Sequence, residues 1–103
     1  MDAVFAKRDN RHFRIPIDSI LYLKAEGSYL NLVTVSGEFS LSQNLSQFLR
    51  KTPFQDLLRV HRSYLINIQK VESFDAEGVW INETKIPVSE SRRQEFLDRI
   101  HCL

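Results

Sequence analysis

His61, Arg62 and Ser63 stand side by side inside the stretch LLRVHRSYLINI, Leu57 to Ile68. Arginine offers a planar fork of donors, and histidine and serine add one or two more each. Donors grouped in this way suit phosphate oxygens and the edge of a guanine. Other chemistries find less support. His12, His61 and His101 are not at metal-ligand spacing, and Cys102 is the single cysteine, so no metal site or cofactor is expected. Ser63 or Ser89 as a nucleophile would need a base and an oxyanion site, and no nucleophile elbow or Gly-rich phosphate loop marks one. Asp75 and Glu77 flank a turn and read as a solvated pair. The chain is not expected to be an enzyme.

The trio also poses a problem of position. Strand side chains alternate between faces. Across this stretch the even positions are Leu58, Val60, Arg62, Tyr64, Ile66 and Ile68, an apolar face with an arginine at its centre. Arg62 is a buried and paired residue, a surface residue of an edge strand, or part of a break in the strand. A buried, paired arginine is costly. A break restores a consistent apolar face on both sides, with one strand at Leu58–Val60, the next at Tyr64–Ile66 and the three polar residues presented between them. That reading is preferred.

The elements that must position the trio are mostly short strands. They are expected at Ala3–Lys7, Arg11–Ile15, Ile20–Ala25, Tyr29–Val35, Glu38–Leu41, Leu58–Val60, Tyr64–Ile66, Val71–Asp75, Val79–Ile81 and Thr84–Ile86. Turn residues such as Asp9-Asn10, Gly27-Ser28, Ser36-Gly37 and Gly78 separate them. Leu45, Phe48 and Leu49 at helical spacing predict a helix over Asn44–Lys51, capped by Asn44 with Gln47 and stopped by Pro53. A second helix is expected over Ser89–His101, with Phe96, Leu97, Ile100 and Leu103 as its apolar stripe. Ser89 or Ser91 can cap it, and Ser91 with Gln94 fits a capping box. A shift of IPIDSILYLKAEGSYLN onto INIQKVESFDAEGVWIN aligns Ala25-Glu26-Gly27 with Ala76-Glu77-Gly78 and Tyr29 with Trp80. Two similar hairpins follow, each entered through a short turn. Tyr22, Tyr64, Phe74 and Trp80 are expected in the core, and Tyr29 partly at the surface.

Composition agrees with a single globular domain over 1–103: 43% of residues are hydrophobic, 26% are charged, and seven are Phe. No apolar run is long enough to span a membrane, and no apolar signal core opens the chain. With one cysteine, this reads as a cytoplasmic protein without membrane contact. The net charge of +1 neither advertises nor forbids nucleic-acid binding, which depends on a local patch. Without further context, Arg50-Lys51 and Arg92-Arg93 read as solvated charge.

LLRVHRSYLIN, preceded by ILYLKAEGSYLNLVT and followed by KIPVSESRRQEFLDRI, resembles the LytTR family of bacterial DNA-binding domains. The resemblance runs from about Ile15 to the last helix. It rests on three features together: the entry into A-E-G, then R-V-H-R-S-Y, then I-P-V-S before a helix. It implies a mainly β fold of small antiparallel sheets with one short internal helix and a C-terminal helix. It implies loops placed in successive major grooves of double-stranded DNA, with two copies on repeated sites. It also implies a role as the output half of a response regulator, so a receiver or membrane regulatory domain is expected outside this chain, and Met1 is read as an added start on a fragment. The regions implied to touch DNA are Ser28, Tyr29 and Asn31; His61, Arg62 and Ser63; and Ser89, Ser91, Arg92 and Arg93. Arg62 would read a base, with His61 positioning it or touching phosphate. The last four would hold phosphate with help from the helix N-terminus. Glu26 and Glu90 limit the basic patch. The competing classes are a pleckstrin-homology-like phosphoinositide or peptide module, with Arg62 and Lys24 as the grip, and a plain protein-interaction domain. Asp18 and Glu26 interrupt the early basic hairpin that the pleckstrin-type fold needs.

Overall fold

In the computed structural model, which describes residues 2–103, turn chemistry cuts the chain into antiparallel hairpins. Met1 lies outside the described residues. β1 (Ala3–Arg8) and β2 (Arg11–Pro16) meet at Asp9 and Asn10, at φ 52° and 63°. Two positive φ angles match the twist of the flanking strands, and Asp and Asn tolerate them. β3 (Ile20–Glu26) turns through Gly27–Ser28 into β4 (Tyr29–Thr34), with Gly27 at φ 60°. β4 turns through Val35–Ser36 into β5 (Gly37–Leu41). β6 (Leu57–His61) and β7 (Tyr64–Asn67) join through Arg62–Ser63, so the strand does break where the polar trio stands. β8 (Ser73–Phe74), β9 (Gly78–Ile81) and β10 (Thr84–Pro87) complete the set. The expected Val71–Asp75 strand shrinks to two residues. Its beginning is used to close a 3-10 turn, with Val71 N–H on the Ile68 carbonyl, and Asp75 caps the next turn through Glu77 and Gly78 N–H.

The strands form three antiparallel sheets: β1-β2, β10-β9-β8, and a central sheet in the order β5-β4-β3-β7-β6. The central sheet is buried on both faces where β3, β7 and β6 lie. Leu23, Leu30, Leu32, Leu57 and Leu65 pack on one side with Ile15 of the β1-β2 hairpin and Leu45 and Phe48. Leu58, Val60 and Ile66 pack on the other with Val79, Ile81, Ile86 and Phe96. Burial on both faces makes β6 and β7 nearly continuous apolar runs, which is why alternation alone misplaced the arginine. The molecule measures 45 × 26 × 26 Å.

α1 (Leu45–Lys51) starts with the full capping box. Gln47 N–H donates to Asn44 Oδ1 at 2.8 Å, and Asn44 N–H donates to Gln47 Oε1 at 2.9 Å. α2 (Glu90–Asp98) is shorter than expected and lacks the Ser91–Gln94 box. Ser89 is its N-cap, but the hydroxyl makes no cap bond; it donates to the Val60 carbonyl at 3.3 Å. Docking on β6 takes the place of the side-chain cap. Because the helix ends at Asp98, Leu103 leaves the apolar stripe and is fully exposed.

The internal repeat survives as architecture. Ile17–Ser19 and Ile68–Lys70 are both 3-10 turns. The buried Asn67 ties them together, donating to the Ile17 and Ile20 carbonyls at 3.3 and 2.9 Å while accepting from Gln69 N–H at 3.1 Å. The hairpins they introduce differ in turn length, Gly27–Ser28 against Asp75–Glu77. Trp80 departs from its expected place in the core. It is 37% exposed, with the Lys85 ammonium 5.6 Å from its ring centre.

Candidate DNA interface

Two backbone hydrogen bonds gather the expected site residues at one end of the central sheet. β3 and β7 pair up to Lys24 and Tyr64, and just beyond them Ala25 N–H donates to the Ser63 carbonyl at 2.8 Å. The Glu26–Tyr29 turn therefore lies beside the Arg62–Ser63 turn. Ser89 N–H donates to the Val60 carbonyl at 2.8 Å, so α2 begins next to His61. Ser28, Tyr29, His61, Arg62, Ser63 and Ser89 come from three distant segments to one place.

The Arg62 side chain is exposed and no described residue bonds to it. Its neighbours are held. Ser63 N–H donates to His61 Nδ1 at 3.1 Å, which leaves the proton of a neutral ring on Nε2, free to donate outward. The His61 ring sits edge-on to Tyr64 at 5.7 Å between centres. Sequence reasoning missed Arg59. Its guanidinium donates to the Arg62 carbonyl at 2.6 Å, to the His61 carbonyl at 3.4 Å and to Ser46 Oγ of α1 at 3.2 Å. The available signal was an arginine between Leu58 and Val60, two buried residues of the opposite face.

Strand register lines up a polar row on one face of this end. Ser40 pairs with Asn31, Asn31 with Lys24, Lys24 with Tyr64, and Tyr64 with His61. Cross-strand partners share a face, so these five side chains run across all five strands. Lys24 Nζ lies 3.5 Å from Glu26 and 5.8 Å from the Tyr64 ring centre. Tyr64, and after it Glu26, raise the pKa of Lys24 above its ordinary value. Asn31 donates to Glu38 at 2.6 Å, which occupies part of its amide. Tyr29 is 57% exposed, in line with its expected surface position. On α2, Ser91 is exposed and Arg92 half-buried without a side-chain partner among the described residues. Arg93 is tethered: its Nη1 donates to the Asp75 and Ala76 carbonyls at 3.1 and 3.0 Å.

A family model described as the LytTr DNA-binding domain matches residues 10–101. The chain belongs to the LytTR family of DNA-binding domains. Its curated relatives include the transcriptional regulatory protein YpdB of Escherichia coli K12, 26% identical over 97% of this chain and 44% of that protein. The sensory transduction protein LytT of Bacillus subtilis is 29% identical over 80% of this chain and 36% of that protein. The chain thus spans less than half the length of these relatives. A LytTr DNA-binding domain of a putative methyl-accepting/DNA response regulator from Bacillus cereus shares the fold, with a TM-score of 0.83, 18% identity and 96% of each chain covered. The mainly β architecture expected of a LytTR domain is the one observed, and DNA is what such a domain binds. The pleckstrin-type alternative is not favoured. No helix among the described residues is long and apolar enough to cross a membrane.

Proposed function

We propose that this LytTR domain is the DNA-reading part of a longer bacterial transcription regulator, and that it reads sequence with turns at the end of the central sheet. The observation that carries the reading is the convergence of the Gly27–Ser28 turn, the Arg62–Ser63 turn and the start of α2 through the Ala25–Ser63 and Ser89–Val60 bonds. Arg62, exposed and without a side-chain partner among the described residues, reads a guanine with its fork of donors. His61 holds the turn through Nδ1 and offers Nε2–H to a phosphate or base. Ser28 and Tyr29, with Lys24 and Asn31 behind them, line the neighbouring surface. Ser89, Ser91 and Arg92 hold phosphate beside the free N–H groups of the α2 N-terminus. Arg93 still has its Nε and Nη2 donors for the same backbone.

A receiver or membrane-linked regulatory domain in the rest of a longer chain fits the length of the relatives, and two copies on repeated half-sites complete the proposal. Such a domain would act in the cytoplasm, binding DNA without a cofactor and without catalysis. Pairing two copies through the regulatory domain would raise the effective concentration of the second copy on the repeat.

Selection from a pool of random duplexes, repeated at low and moderate salt, tests the reading. A recovered repeated motif, with affinity falling steeply as salt rises, is the expected result. Salt-sensitive binding with no motif would reduce the site to a basic surface and remove the base-reading role of Arg62.

A further inference from the structure

We infer that Arg59 is a positioning residue that fixes the turn from which Arg62 reads DNA; the inference rests on the base-reading role proposed above. It starts from backbone angles. Two-residue hairpin turns favour a positive φ within the turn, because only then does their twist match the strands. Asp9–Asn10 contains two, and Gly27–Ser28 and Asn82–Glu83 contain one each. Val35–Ser36 and Arg62–Ser63 do not. Each of these last two turns needs other support, and each has it. In the first, Thr34 Oγ1 donates to the Gly37 carbonyl at 2.8 Å and accepts from Ser36 N–H at 3.1 Å. In the second, the support comes from Arg59 and His61.

Together these contacts occupy most of the turn backbone. Arg59 takes the carbonyls of His61 and Arg62, His61 Nδ1 takes Ser63 N–H, and Ala25 N–H takes the Ser63 carbonyl. The register shift between Arg59 and His61 brings this about, since it lets the Arg59 side chain run back along its own strand to the turn. The third contact, to Ser46 Oγ, anchors the guanidinium on α1, whose Leu45 and Phe48 are buried in the core. Arg59 therefore spends its charge on protein carbonyls and a hydroxyl, and the guanidinium of Arg62 is left without a hydrogen-bond partner among the described residues. A fork geometry is required here, because one group must reach two carbonyls and a hydroxyl together. Lysine has no such fork.

The test compares Arg59→Lys, Arg59→Met and Arg62→Ala in the whole chain. Binding is measured on the selected duplex and on its single-base variants across a salt series, with thermal melting alongside. Amide exchange of Ser63 is followed in the free protein. Arg59→Lys is expected to keep the fold and the salt slope, and to lose preference at the same base pair as Arg62→Ala. Its Ser63 amide is expected to exchange about tenfold faster, since the turn loses charge-assisted bonds. Arg59→Met serves to separate charge from fork: it should match Arg59→Lys in base preference. Uniform loss on all sequences, with a salt slope flatter by about one unit, would make Arg59 a phosphate contact and overturn the inference. Altered preference in Arg62→Ala with none in Arg59→Lys would overturn it alone. Unaltered preference in both, with the Ser63 amide still freed, would sink the base-reading role of Arg62 and this inference with it.

Discussion

Gly27 and Gly78 occupy corresponding places in the two similar hairpins, yet their replacement by alanine should have very different consequences. At Gly27 the backbone is at φ 60°, and an added Cβ meets nothing within 4 Å. The cost is therefore conformational alone. A left-handed non-glycine residue costs about 1–2 kcal/mol, and the loss of unfolded-state freedom returns about 0.4–1 kcal/mol of that. A net loss of about 1 kcal/mol follows, or about 4–8 °C in Tm for a domain near this size. At Gly78 the φ angle is ordinary, but a Cβ would collide with the carbonyl oxygen of Ile86 on the neighbouring strand. Backbone of a paired strand cannot swing aside as a side chain can. Gly78→Ala should reach the upper end of overpacking penalties, about 3 kcal/mol or more, with a Tm drop at least twice that of Gly27→Ala. Melting both variants by circular dichroism checks this. Gly27→Asn separates the two causes further, because asparagine tolerates the left-handed region; it should recover most of the Gly27→Ala loss. Equal losses at the two glycines would refute the reasoning, since they would mean that φ and steric contact do not divide the two sites as described.

Arg62→Ala should weaken binding to the selected site by about 1–3 kcal/mol and relax preference at one base pair, leaving Tm nearly unchanged because the side chain is exposed and bonds to no described residue; a collapse in Tm would show Arg62 to be structural. Arg92→Ala should weaken all duplexes alike and flatten the salt slope by about one unit, and a base-selective loss in the same titration would reject the phosphate role. Asn67→Ala leaves the buried carbonyl of Ile20 without its donor and should cost about 1–3 kcal/mol, read by denaturant unfolding; a neutral result would show that the two 3-10 turns do not depend on it. The N–H of Glu77, with the Lys85 ammonium, holds the Asp75 carboxyl below its ordinary value of 3.8. A depressed folded pKa contributes stability that is full above the unfolded value and is lost as pH falls through the folded one, so Asp75→Asn should flatten the acid limb of the stability profile below about pH 4; because the same carboxylate raises the Lys85 pKa, the alkaline limb should change with it while the neutral range keeps its shape.

Strand existence was legible in the sequence because turn residues punctuate it. Asp9-Asn10, Gly27-Ser28, Gly78 and Asn82 mark changes of direction, and every strand expected between them is present. The α1 start was equally legible, since Asn44 and Gln47 carry their cap in their own side chains. The α2 start was not. Ser91 and Gln94 have the spacing of a cap, but the contact that decides is Ser89 with Val60, 29 residues away, and local pattern carries no trace of it. The candidate site divides along the same line. Arg62 stood out because it interrupted an apolar face. Arg59 did not, because a half-buried arginine bonded to carbonyls has no signature until the turn that brings those carbonyls within reach is known. The tether of Arg93 was hidden for a similar reason: it runs to the Asp75 and Ala76 carbonyls of a different hairpin.

The two-sided burial of the central sheet also explains why recognition would fall to turns. Along β3, β7 and β6, side chains on both faces are committed to the two clusters, so a donor placed mid-strand would be buried and would need a partner. Only at the strand ends do successive residues escape that constraint. There the positions can be filled for chemistry, as His61, Arg62 and Ser63 are. A turn free of packing is also free to move, however, and a base contact depends on sub-ångström placement. The bonds from Arg59, His61 and Ala25 answer that difficulty by fixing the backbone of the turn while leaving the Arg62 guanidinium unused. The rigid sheet supplies the position, the bonded turn the direction, and the open arginine the reach.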